Sequence, residues 1–113
     1  MPQPIKYDDI VESLIQKTEA GKVSWNQVFS TSAFTCNLDG EFTFRIERGN
    51  DSEGDPVVRL SMTDKENNEI FQVEQSTTYG SGRKLAELHE AARRAALNVE
   101  EKINAVKDIL GRI

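Results

Sequence analysis

The chain reads as a single α+β domain: an N-terminal helix, a four-stranded antiparallel meander, and a long C-terminal helix packed on one sheet face. Three observations carry this reading. Apolar residues recur at helical spacing near both ends of the chain, at Ile10, Val11, Leu14 and Ile15 and again from Leu85 to Ile113. Between them, apolar and polar residues alternate in short runs, the mark of half-buried strands. At 113 residues the chain has enough for one core and too little for two.

The first helix is expected over residues 7–20. Asp8, Asp9 and Glu12 suit the free N–H groups of its first turns, and Gly21 supplies the stop. Residues 22–30 commit to neither period, and are expected to fold Trp25 over an edge of the core as a structural anchor.

Strands follow near residues 32–37 and 41–48, where Phe34, Cys36, Phe42, Phe44 and Ile46 alternate with polar neighbours. Their join contains Asp39-Gly40. A two-residue loop would mix large and polar side chains across the pair. A three-residue loop with Gly40 at positive φ sets Cys36 opposite Phe42 and Phe34 opposite Phe44, with the large side chains on one face.

Residues 49–56 form an acidic loop without the spacing of a calcium site. Strands at 57–63 and 69–75 complete the meander, with Asn67 or Asn68 left-handed in the turn between them. Its outer face is polar and expected to stay wet. Arg45, Glu47, Arg59, Gln72 and Glu74 on that face are candidate partner contacts.

A Gly/Ser loop at 76–82 leads into a helix over 83–113, with a stripe through Leu85, Leu88, Ala92, Ala95, Val99, Ile103, Val106, Leu110 and Ile113. Opposite-charge pairs four apart, Arg83–Glu87, Glu90–Arg94 and Asp108–Arg112, suit its solvated face. A straight helix from 82 to 110 would be about 43 Å long, whereas a four-stranded sheet is only about 15 Å across. Part of it must therefore project, meet another chain, or bend near Asn98 onto the first helix. The stripe Val99, Ile103, Val106, Leu110 and Ile113 is the candidate interface of a homodimer.

Chemistry is thinly supplied. There is one histidine, His89, and one cysteine, Cys36, so no His-rich metal site, internal disulfide or nucleophile–base pair announces itself. No catalytic residue, metal or cofactor is expected. The lone thiol suits a reducing compartment, no stretch reaches the length of a membrane span, and the first residues lack a secretory signal's layout. A cytoplasmic location, with no membrane partner, is expected.

Ser81, Arg83 and Lys84 at the last helix's start are candidate anion contacts. The order helix, antiparallel strands, helix resembles that of double-stranded RNA-binding domains. The passages Gly80-Ser-Gly-Arg-Lys-Leu-Ala-Glu and Ala91-Ala-Arg-Arg-Ala-Ala96 are similar to the start of that family's second helix. The resemblance implies weak nucleic-acid binding through Arg83, Lys84, Arg93 and Arg94, the alternative reading. Charge argues the other way. The net charge is -5, and residues 1–82 carry seven basic against fourteen acidic side chains. The leading expectation is a non-enzymatic protein-interaction domain of inhibitor, immunity, chaperone or adaptor type, whose partner is another protein, a basic one on charge grounds.

Overall fold

The computed structural model describes residues 8–29, 31–77 and 82–113. The elements run α1 (Asp8–Glu19), β1 (Asn26–Gln27), β2 (Ala33–Leu38), β3 (Phe42–Asn50), β4 (Pro56–Asp64), β5 (Glu69–Ser76), α2 (Gly82–Ala96) and α3 (Val99–Arg112). The α+β class stands. The sheet has five strands rather than four, in the order β1-β2-β3-β4-β5 with antiparallel neighbours. The C-terminal region is two helices rather than one.

α1 stops where a left-handed residue is available. Gly21 has φ 75°, its N–H bonds to Thr18 O at 3.1 Å, and Lys22 N–H reaches back to Lys17 O at 2.9 Å. That pair of bonds is a Schellman ending, which satisfies carbonyls the helix would leave open. The chain then enters β1, two residues that pair with Thr35 and Phe34 of β2. Two residues carry no period, so the fifth strand left no pattern in the sequence. Trp25 is buried beside it and donates its indole N–H to Thr18 Oγ1 at 2.8 Å, tying the segment to α1.

The β2–β3 hairpin keeps the expected faces and shifts the expected partners. Asp39 and Gly40 both have positive φ, 57° and 72°, and Glu41 N–H bonds to Leu38 O at 2.9 Å. This is a primed two-residue turn. Glu41 is then an extra residue before the ladder resumes at Leu38↔Phe42, so that Cys36 opposes Phe44 and Phe34 opposes Ile46. The expected pairs Cys36/Phe42 and Phe34/Phe44 are out by two residues. A bulge of one residue restores face parity, and parity was the constraint the sequence supplied.

β3 and β4 extend through Asn50 and from Pro56, so the acidic loop shrinks to residues 51–55. Asp51 Oδ1 accepts the N–H groups of Glu53 and Asp55 at 2.9 and 3.0 Å, which turns this carboxylate inward to the loop's own backbone. Asn67 is the left-handed residue of the next turn, at φ 65°.

One sheet face is apolar: Phe34, Cys36, Phe44, Ile46, Val58, Leu60 and Phe71 are buried there with Val11, Leu14 and Ile15 of α1 and Leu85, Leu88 and Ala92 of α2. Phe42 was expected in this core but sits at the end of the sheet, 41% exposed. The helix break falls at Asn98, which adopts φ 52°, ψ 47°. Asparagine tolerates this region better than most residues. α3 does not fold back over α1. Among the described elements it packs only against α2, and none of its residues is buried. The molecule is accordingly elongated, 65 × 36 × 25 Å.

Candidate functional site

The outer sheet face gathers the residues expected on it. The register aligns Thr35, Arg45, Ser61 and Gln72 in one row across the sheet, and Glu47, Arg59 and Glu74 in the next. Arg59 lies between two carboxylates, 3.1 Å from Glu47 Oε1 and hydrogen-bonded to Glu74. Glu74 and then Glu47 raise the guanidinium's pKa above its ordinary value. Arg45 reaches Glu47 at 3.4 Å. Two arginines and two glutamates thus neutralise each other, so the face is polar without a strong field.

At the start of α2, Lys84 is held by Glu12 of α1 at 2.6 Å and lies 3.9 Å from Glu87. The hydrogen bond and charge of Lys84 pull the Glu12 carboxyl below its usual range, and Glu12 raises Lys84 in turn. Ser81 lies outside the described residues. Arg93 pairs with Glu90 at 3.2 Å, and Arg94 turns to Glu100 of α3. The i,i+4 pairs expected at 83/87, 90/94 and 108/112 are absent among the described contacts; Glu87 lies near Lys84, Glu90 pairs with Arg93, and Arg94 turns to Glu100 instead. Of Arg83, Lys84, Arg93 and Arg94, only Arg83 has no carboxylate partner among the described residues.

Cys36 and His89, the lone cysteine and the lone histidine, are both buried. Burial pushes the Cys36 thiol up to about 11, which disfavours the reactive thiolate. His89 faces the sheet rather than solvent. Its Nε2 lies 2.7 Å from Ser32 O, and its ring meets Phe34 edge-on at 5.3 Å. Burial is the largest influence on its pKa, which lies below the ordinary 6.5. Histidine is common on helix flanks, so this buried structural role had no signal in the sequence. Among the described residues no group of three His, Cys, Asp or Glu side chains could hold a metal ion.

The remaining feature is α3. Val99, Ile103, Val106, Leu110 and Ile113 recur in steps of 4, 3, 4 and 3. Val106, Leu110 and Ile113 are 54%, 65% and 94% exposed. Beside them a groove of about 540 Å³ opens between the end of α2 and α3, lined by Arg93, Leu97, Val99, Lys102, Ile103 and Val106. Sequence reasoning had missed Leu97 and the exposed Ile109, which broaden the strip. Leu97 follows the last α2 residue and Ile109 lies one step off the stripe, so a strict heptad count passes over both. Comparison of the chain with protein-family models, with curated proteins and with solved structures finds no match in any of the three.

Proposed function

We propose that this chain is a small protein-interaction domain that acts by docking rather than by chemistry, in the manner of an inhibitor, immunity protein, chaperone or adaptor. One observation carries the reading. α3 is a 14-residue amphipathic helix with no buried residue, projecting from a body that leaves its apolar face bare. Helices of this length are marginal in water without a packing surface, and connected apolar strips on a protein surface mark sites of association. The paired charges around Lys84, Arg93 and Arg94 favour this over nucleic-acid binding, because cations already held by carboxylates contribute little to phosphate contact. The acidic body supports a basic protein as the further partner.

A photo-crosslinking side chain at position 106, compared with one at exposed position 101 on the opposite side of α3, tests the reading in cells. Polypeptide adducts at 106, absent at 101 and suppressed by Leu110→Glu, are expected. Adducts to nucleic acid, or no polypeptide adduct at 106, would overturn it.

A further inference from the structure

We infer that the partner of the α3 strip is α3 of a second copy of this chain, laid antiparallel. The inference rests on the docking reading above. It adds the identity of the occupant and the register of the pairing.

The charges on α3 point to self-association. Lys102, Lys107 and Arg112 balance Glu100, Glu101 and Asp108, so the helix is neutral and mixed while the body of the chain is acidic. A surface built for a basic partner would be acidic, whereas this one carries both signs in equal number. The stripe itself follows the 3,4 spacing of helix pairs, with Val99, Ile103, Val106, Leu110 and Ile113 at its centre. Glu100 and Lys107 flank it on one side, and Lys102 and Ile109 on the other.

These flanking residues distinguish the two directions of pairing. In a parallel pair, Lys102 of each copy meets Lys107 of the other, and both contacts repel. In the antiparallel pair that sets Ile103 against Val106 and Val99 against Leu110, Glu100 of each copy meets Lys107 of the other. Both contacts then attract, and the opposed helix dipoles add to the preference. Glu100 already holds Arg94 within its own chain, and a carboxylate has acceptor sites enough for a second cation. The same register carries Ile113 of each copy past Val99 of the other, towards the groove between the end of α2 and α3.

The contact length sets the strength. Fourteen residues span about 21 Å, short for an interface of the standard size of roughly 1,600 Å². Association on the order of micromolar follows, a reversible dimer rather than a permanent one.

Sedimentation of the full chain at low ionic strength tests this. The parent is expected to dimerise in the micromolar range, and Val106→Glu with Leu110→Glu to be monomeric with an unchanged circular dichroism spectrum, since neither side chain is buried within the protomer. Lys107→Glu turns both attractive pairs repulsive and should weaken the dimer about tenfold. Adding Glu100→Lys, together with Arg94→Glu to keep the ion pair within the chain, should return the dissociation constant to within about threefold of the parent. A combined reversal that fails to restore association overturns the antiparallel register. A parent that remains monomeric at high micromolar concentration overturns the second copy as occupant. If the adduct at position 106 then contains a different polypeptide, the docking reading survives that failure.

Discussion

α2 and α3 are nearly equal in length, share one apolar spacing, and are separated by only Leu97 and Asn98, yet one is built into the core and the other is bare. Leu85, Leu88, His89 and Ala92 of α2 are buried against the sheet, whereas α3 buries nothing. The two differ less in amphipathic pattern than in what lies opposite them. α2 crosses the inner sheet face beside α1, and the left-handed turn at Asn98 sends α3 off the end of that surface. An apolar stripe therefore states that a helix wants a partner, and leaves open whether its own chain provides one.

The sharpest way to break this comparison is to truncate matched residues. Leu88→Ala should cost about 2–5 kcal/mol, because the side chain is fully buried and leaves a cavity. Leu110→Ala, measured by denaturant unfolding at concentrations too low for association, should change stability by less than about 0.5 kcal/mol. Equal losses would mean that α3 has a packing surface within its own chain.

A smaller effect is expected where α1 is tied to the segment before β1. Thr18→Val preserves the shape of the side chain and leaves the Trp25 indole N–H buried without its acceptor. A loss of about 1–3 kcal/mol should appear in urea melts. A neutral result would mean that water replaces the hydroxyl.

The gentlest contrast is a pH dependence confined to α2. His89 has a folded pKa below its ordinary 6.5, so the unfolded chain binds a proton more readily than the folded one. Its contribution to stability is full above about pH 6.5 and is lost as pH falls from there towards the lowered folded value. Unfolding midpoints measured from pH 7.5 to 5 should decline, and His89→Gln should flatten the decline. A slope unchanged by that substitution would assign the effect to other groups.

Much of the architecture was legible in the chain because it depends on one residue or one period. Gly21 and Gly40 take left-handed conformations, and so does Asn67, one of the two asparagines expected to supply one, since few residue types tolerate those dihedrals. Alternation assigned Phe34, Cys36, Phe44, Ile46 and Leu60 to the buried face, since a strand's side chains must point to opposite sides in turn. The outer-face group around Arg59 followed from the same rule.

What the chain left undecided depends on relations between segments. A period of two sets the face of a strand but is blind to a shift of two in register, so the bulge at Glu41 and the Cys36–Phe44 pairing were decided by packing. Lys84 had carboxylates near it in sequence and chose Glu12, which is distant in sequence and close only once α1 and α2 lie side by side. The break at Asn98 was an option the residues allowed, but the direction of α3 beyond it was not. Spacing encodes which face of a helix is apolar, while the dihedrals at a single junction residue decide where that face points.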